Sequence, residues 1–278
     1  MTGRHKRRGI KPKLRNKELC FRILFLSPSV HQLRDQSHID KFRKKQHCTR
    51  VHTVFFENKK RFKPALTAVF CGWSYRMRTI QFMNNEWKYR KDYSDEYTTI
   101  DFNDSEWEPV MLPHANQELP FNGFDEKMYQ FVSCYRRSLD ITEEMSGKKL
   151  FLDFEGVMTA ATVWVNGQEA GEHLGGYTPF SVDITDLVNV GESNVIAVKV
   201  DSTERNDIPP FGKVIDYLCY GGIYREVSLR VVEKTFIQNV FARPGKVLEE
   251  KKELAGTIFV QNATDQSKTI RVCMTLSK

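Results

Sequence analysis

Residues 161–173 read ATVWVNGQEAGEH, and this stretch decides the fold. Its first five residues form a short β-rich run that ends directly at Asn166-Gly167. A type I′ turn needs a positive φ at both central residues, and Asn-Gly is the dipeptide that best accepts it. Residues 168–173 then supply a return strand. We therefore predict a tight β-hairpin and, around it, a fold of antiparallel strands.

The same pattern continues on both sides of this hairpin. From Met77 onward, short runs rich in branched and aromatic residues alternate with turn clusters, and no amphipathic stretch of helical length interrupts them. Five more strands are expected, over residues 135–141, 149–154, 180–184, 194–201 and 223–232. The pattern predicts an all-β protein, with an antiparallel sandwich or barrel of about eight strands or more across residues 77–232.

A second unit is expected after residue 232. Residues 235–242, 253–261 and 268–276 read as three further strands. An immunoglobulin-like sandwich has about seven strands in about 100 residues, whereas 233–278 holds 46 residues. Three strands would leave an open edge and a half-covered apolar face. We therefore expect residues 233–278 to be an incomplete immunoglobulin-like domain and the chain to be a fragment of a longer protein.

The first 76 residues differ from the rest in charge. They contain 20 Lys and Arg against 4 Asp and Glu, while residues 77–278 contain 22 against 31, so the overall charge of +7 combines +16 with −9. Basic runs of this kind are usually disordered. We expect residues 1–76 to be a basic, disordered extension. Two other interpretations stay open: an arm that binds nucleic acid, and a misassigned start codon with Met77 as the alternative.

Nothing in the sequence indicates a membrane helix or a secretory leader. No apolar run approaches eighteen residues, and the apolar stretch at 20–26 is interrupted by Arg22, with no clean cleavage site after it. Cys134, Cys219 and Cys273 are scattered through the acidic part of the chain. Such cysteines, without a signal peptide, favour reduced thiols and a cytoplasmic location.

Five sequence motifs carry a family resemblance. In chain order they are WEPVMLPH at 107–114, SCYRR at 133–137, TVWVNG at 162–167, GGYTPF at 175–180 and YGGIYREV at 220–227. Their order and spacing resemble the N-terminal sugar-binding sandwich of glycoside hydrolase family 2, which contains β-galactosidases, β-glucuronidases and β-mannosidases. Residues 233–278 resemble the start of this family's first immunoglobulin-like domain. The loop at 207–212 is most similar to β-galactosidase-type members.

The resemblance implies a fold, a substrate class and a separate domain for the catalytic residues. The fold is a jelly-roll (galactose-binding-like) β-sandwich, and the substrate is a β-glycoside or oligosaccharide. In this family the two catalytic glutamates lie on a (β/α)₈ barrel that follows the immunoglobulin-like domain. This chain has no alternating strand–helix region that could form such a barrel. The resemblance therefore implies no catalytic residue in this chain, which by itself would not hydrolyse glycosides.

The resemblance implies one site residue, Asp216. It matches the family's loop aspartate, which contacts sugar hydroxyls, and a sodium or magnesium ion is expected there only in the full-length enzyme. A carboxylate suits this role, since it accepts two hydroxyl hydrogen bonds and binds a hard cation. The alternative is an aspartate that only caps a turn. The other conspicuous residues are expected to be structural: His114, His173, Trp87, Trp107 and Trp164.

Two functions other than a β-galactosidase-like glycosidase fragment remain open on the sequence. A jelly-roll sandwich also serves as a stand-alone, non-catalytic carbohydrate-binding module. The other alternative is a nucleic-acid-associated protein that acts through residues 1–76, although no helix-turn-helix, zinc-finger or RNA-binding signature supports it.

Overall fold

The computed structural model describes residues 78–123, 125–212, 217–250 and 253–276, together with three short strands before residue 78. For those three strands and for residues 271–276 it describes the backbone alone. In this part of the chain the helices are three single 3-10 turns, Asp95–Thr98, Glu126–Met128 and Glu143–Met145. No helix among the described residues is long and apolar enough to cross a membrane. The prediction of an all-β protein is confirmed.

Sixteen strands are described, and they are numbered here in chain order. They are β1 Lys17–Leu24, β2 Cys48–Arg50, β3 Val54–Phe55, β4 Arg78–Phe82, β5 Trp87–Arg90, β6 Glu108–Val110, β7 Val132–Asp140, β8 Lys149–Phe154, β9 Ala160–Val165, β10 Gln168–Leu174, β11 Phe180–Asp183, β12 Ser193–Asp201, β13 Val227–Val232, β14 Thr235–Gly245, β15 Glu253–Asn262 and β16 Thr269–Leu276.

Ten of these strands, β4 to β13, form a sandwich of two antiparallel sheets. The larger sheet has the order β10-β9-β12-β7-β5-β6, and the smaller sheet has the order β11-β8-β13-β4. The result agrees with the predicted sandwich of eight strands or more. The core lies between the two sheets and draws on alternating positions along strands such as β5, β8, β9, β12 and β13, whereas β4 is exposed along its length.

Strand β13 shows how a sequence period of two builds this core. Val227, Leu229 and Val231 are buried between the sheets, whereas Ser228 and Arg230 between them are only partly buried. Complete burial of a side chain such as Leu229 contributes about 1.5–3 kcal/mol. The sequence pattern located seven of the ten strands, β7 to β13, and did not predict β4, β5 or β6.

The hairpin predicted at Asn166-Gly167 is present between β9 and β10. Asn166 has φ 53° and Gly167 has φ 78°, as a type I′ turn requires. The Asn166 side chain also ties the turn to the rest of the sandwich. Its Nδ2 donates to the Leu187 carbonyl oxygen at 2.9 Å, and its Oδ1 accepts from the Val195 backbone N–H at 2.9 Å. An aspartate here would lose the first of these bonds, because it has no N–H to donate.

The outer face of the larger sheet is covered by residues 91–107. The rings of Tyr97, Phe102 and Trp107 in this segment contact one another, with centroids 4.9 to 5.7 Å apart. Arg136 of β7 lies beneath them and is only 1% exposed. A charged residue on the outer face of a sheet is therefore part of the protein interior.

The second unit contains the three strands predicted for residues 233–278. Strand β14 pairs with β15, β2 and β3 pair with the other edge of β15, and β1 pairs with β16. The three strands before residue 78 lie within the predicted basic extension. An open strand edge presents unpaired N–H and C=O groups, and added strands satisfy them. The remainder of 1–76 and Met77 lie outside the described residues.

Candidate functional site

The predicted site residue Asp216 lies outside the described residues, in a loop whose described ends are Gly212 and Tyr217. The structure therefore places the two ends of this loop but not Asp216 itself. The surroundings of the loop can still be built from the segments that anchor it and from the side chains next to it.

The C-terminal end of the loop is anchored at Gly221-Gly222. Asn116 donates its backbone N–H to the Gly221 carbonyl oxygen at 2.9 Å, and Met158 donates its own to the Gly222 carbonyl oxygen at 3.0 Å. Gly222 has φ +105°, and a Cβ atom on it would lie 2.6 Å from the His114 carbonyl oxygen. Both the backbone conformation and the close approach require glycine here. Three motifs that are distant in sequence thus meet at the base of the loop.

Asn116 is a site residue that the sequence did not single out. Its side chain is 1% exposed, and its Nδ2 donates to the Tyr129 carbonyl oxygen at 2.8 Å. Its own carbonyl oxygen accepts from the Tyr89 hydroxyl at 2.6 Å. Asn116 therefore joins the strand-end motif at 107–114 to the loop that contains Tyr129. The sequence carried one weak signal, a polar amide two positions after the Pro-His dipeptide.

His114 and Tyr135 form a neutral pair under the same loop. His114 Nδ1 lies 2.9 Å from the Tyr135 hydroxyl oxygen, and the Tyr89 ring contacts His114 edge-on with centroids 4.8 Å apart. Burial lowers the pKa of His114, against the opposite influence of Glu108 and Glu118. Burial also holds the pKa of Tyr135 well above its usual value. The pair acts as an uncharged structural contact, in agreement with the structural role expected for His114.

The lowered pKa of His114 predicts a pH dependence of stability. Below about pH 6.5 the unfolded chain takes up a proton on His114 that the folded chain resists, so the free energy of unfolding should fall as the pH decreases through this region. We expect the urea midpoint to drop between pH 7.5 and pH 5.5, and to drop less in a His114→Gln variant. Equal drops in the two proteins would contradict the assignment to His114.

The three tryptophans and His173, which are also expected to be structural, pack against other parts of the protein. Trp87 is fully buried and Trp107 is 6% exposed. Trp164 stacks on Tyr93 with ring centroids 5.8 Å apart, and His173 stacks on the ring of the phenylalanine that begins β11 at 4.4 Å. One face of each of these last two rings is already covered by protein.

A small pocket lies beside the loop end. It has a volume of about 40 Å³, and its lining includes Glu126, Glu204, Tyr217 and Cys219. One water molecule occupies about 30 Å³ in the liquid. The pocket therefore cannot enclose a sugar ring, but it can form one wall of a larger site.

Exposed aromatic side chains surround this pocket. Phe211 and Tyr217 line it, and Tyr177 reaches it through its hydroxyl, which lies 3.4 Å from Cys219 Sγ. The exposed fractions of these three rings are 42%, 53% and 41%. Burial, followed by hydrogen bonding to Cys219 and Tyr217, raises the pKa of Tyr177, so its hydroxyl stays protonated. Aromatic rings with an exposed face and a polar tip are common in binding sites.

The sandwich matches a known family. The family model described as "Glycosyl hydrolases family 2, sugar binding domain" matches residues 83–232. A β-galactosidase of Thermoanaerobacterium thermosulfurigenes is 46% identical over 196 residues, or 70% of this chain, and a β-glucuronidase of Bacteroides fragilis is 34% identical over 203 residues, or 69% of it. Among solved structures, a β-glucuronidase of Bacteroides uniformis is 27% identical over 72% of this chain, with a TM-score of 0.62.

The matched part is a minor share of each relative. The chain spans 27% and 28% of the length of the two curated relatives and 26% of the solved one. All three relatives carry the names of glycosidases. The comparisons therefore do not favour the stand-alone carbohydrate-binding module or the nucleic-acid-associated protein.

Proposed function

The chain belongs to glycoside hydrolase family 2 and carries the family's sugar-binding domain. We propose that its sandwich forms one wall of the substrate site of a β-galactosidase-like glycosidase. One observation carries this proposal. Segments from separate parts of the chain meet at one end of the sandwich around a pocket of about 40 Å³, rimmed by exposed aromatic rings, that is too small to be a complete sugar site.

We assign the contact with a β-glycoside or oligosaccharide to the loop that contains Asp216. Asp216 directly precedes Tyr217, a residue that lines the pocket. Its carboxylate would accept hydrogen bonds from two neighbouring sugar hydroxyls. The rings of Tyr217 and Phe211 would pack against the apolar face of the same sugar. Polar contact and ring contact would then come from one short segment of chain.

The sodium or magnesium ion at Asp216 remains part of the proposal for the full-length enzyme. Within the described ranges, no three His, Cys, Asp or Glu side chains lie close enough together to hold a metal ion. The sugar contacts proposed for Asp216 and Tyr217 do not depend on the ion.

A cytoplasmic location is a further part of the proposal. Cys134 and Cys219 are both free thiols, and free thiols persist most readily in a reducing compartment. Fractionation of cells that produce the chain tests this, and recovery of the chain outside the cytoplasm would contradict it.

We expect the purified chain to show no measurable turnover of nitrophenyl β-galactoside or nitrophenyl β-glucuronide. Retaining glycosidases need two carboxyl groups about 5 to 5.5 Å apart on either side of the scissile bond, and the resemblance places both on a barrel that this chain does not contain. The full-length β-galactosidase of T. thermosulfurigenes serves as the positive control. Turnover that disappears when a carboxylate within 77–232 is changed would contradict the proposed role.

A further inference from the structure

A second, larger cleft lies away from the loop pocket. It has a volume of about 510 Å³ and lies between the outer face of the smaller sheet and the β14–β15 hairpin. None of the described residues lines both cavities. Small-molecule sites typically have volumes of about 300–1,000 Å³. This cleft, unlike the loop pocket, is large enough to hold a complete sugar unit.

The floor of the cleft is aromatic. Phe151 of β8 and Phe236 of β14 contact each other edge to face, with centroids 5.8 Å apart, and each is 7% exposed. Phe259 of β15 is the third ring of the lining. Phe151 and Phe236 pack with Val232 in a small cluster that joins the hairpin to the sandwich. The floor is therefore fixed by packing between the two units.

The side-chain amide of Gln261 faces this cleft. Gln261 of β15 lines it and is only 5% exposed. Its side-chain amide makes no hydrogen bond to any residue that the structure describes. A ligand that offers both a donor and an acceptor would satisfy its oxygen and its nitrogen together.

Arg230 presents a second unused donor at the rim. Its Nε and Nη2 donate to the two carboxylate oxygens of Asp153 at 2.6 and 2.9 Å, and its guanidinium carbon lies 4.4 Å from the Phe151 ring centroid. These contacts hold the guanidinium plane in one orientation. Nη1 has no hydrogen-bond partner among the described residues. A fixed donor therefore adjoins the aromatic floor.

The charges around the cleft are balanced in pairs. Arg230 pairs with Asp153, and Lys149 pairs with Asp183 at 2.6 Å. Among the described residues at the cleft, two cations thus face two carboxylates, and this balance offers no net attraction to an ionic ligand. An uncharged ligand rich in hydroxyl groups suits this lining better than a phosphate or a carboxylate.

We propose that this cleft is a second glycan-binding site, which takes a neutral mono- or disaccharide independently of the loop pocket. Vicinal hydroxyls on one edge of the sugar would bond to the Gln261 amide and to Arg230 Nη1. Its apolar C–H face would lie against the partly exposed ring of Phe259. Ser181, Asp183 and Asn239 supply further polar groups at the rim. This inference concerns residues that do not line the loop pocket and stands without the proposed catalytic association.

The test is to measure lactose binding to the full 278-residue chain by saturation-transfer NMR and by titration. The native chain is expected to bind lactose, and Gln261→Met, which keeps the side-chain size but removes the amide, is expected to weaken binding about tenfold. Asn239→Trp at the exposed rim should block the cleft, and it provides an independent variant if Gln261→Met fails to fold. Tyr217→Ala in the loop pocket is the matched control and should leave this binding unchanged.

Two results would overturn the inference. One is an absence of lactose binding by the folded native chain. The other is lactose binding that survives both Gln261→Met and Asn239→Trp. If Tyr217→Ala then abolished lactose binding, the ligand would lie at the loop pocket, and the result would support the proposed function instead. Glucuronate is expected to compete with lactose poorly, and competition as strong as that of galactose would contradict the argument from charge balance.

Discussion

Replacing Arg136 with methionine is expected to destabilise the sandwich by about 3–5 kcal/mol. The guanidinium is 1% exposed and donates from Nη1 to the carbonyl oxygens of Tyr97 and Thr99 and from Nη2 to that of Phe102. Its Nε donates to Asp104 at 2.9 Å. Methionine fills part of the space but leaves the three carbonyl oxygens without this donor, each at a cost of about 1–3 kcal/mol. Asp104 would keep only Lys88 Nζ, at 2.5 Å, as a partner.

The measurement is urea unfolding of the native chain, of Arg136→Met and of Arg90→Met as a matched control. Arg90 belongs to the neighbouring strand and also pairs with an aspartate, Asp92, at 2.8 Å, but the two side chains are 46% and 53% exposed. Exposed ion pairs contribute about 0–1 kcal/mol, so the control should lose little. Equal losses in the two variants would show that Arg136 is not the buried clamp described here.

Gly222→Ala is expected to lower the free energy of unfolding by about 3 kcal/mol or more. A Cβ at this position would lie 2.6 Å from the His114 carbonyl oxygen, 2.8 Å from the Asn116 nitrogen and 2.8 Å from the Tyr135 hydroxyl oxygen. Two of these three atoms belong to the backbone and cannot move aside by a side-chain rotation. Overpacking costs about 1–3 kcal/mol, and the unfavourable positive φ adds about 1–2 kcal/mol.

Gly147→Ala separates these two contributions. Gly147 also has a positive φ, +72°, but nothing lies within 4 Å of the position that its Cβ would occupy. This control should lose only the conformational part, about 1–2 kcal/mol. Thermal or urea unfolding of both variants gives the difference directly. A loss for Gly222→Ala no larger than that of the control would mean that the base of the Asp216 loop is not tightly packed.

The sequence predicted the sandwich and seven of its ten strands because the signals for those strands are local. Alternation in strands such as β8 and β13 and the Asn166-Gly167 turn depend on residues close together in the chain, and the core follows from them. Arg136 shows the limit of this approach. Its place in a strand pattern predicts an outward charge, and only the packing of residues 91–107 across the sheet makes it a buried residue. That contact joins segments about forty residues apart, and no periodicity reports it.

The candidate site was predictable in part. Asp216 came from the match of a whole motif to a family and not from any local pattern, and it stays a prediction because it lies outside the described residues. The glycine pair at 221–222 was visible in the sequence, but its reason was not. That reason is the close approach of His114 and Asn116, which are more than a hundred residues away. The cleft at Gln261 depends on the packing of a second unit against the sandwich, for which the sequence offers no local signal.

We propose that the loop containing Asp216 contacts substrate in a site completed by other parts of a family 2 enzyme. The direct test is to place residues 83–232 in the T. thermosulfurigenes β-galactosidase, in exchange for its matching sandwich, and to measure kcat/KM for nitrophenyl β-galactoside. We predict an active chimera in which Asp216→Asn lowers kcat/KM about 100-fold, or about 2.7 kcal/mol, while Asp207→Asn, an exposed aspartate that pairs with Arg205, changes it by less than about twofold. An active chimera in which Asp216→Asn has no more effect than Asp207→Asn would contradict the account.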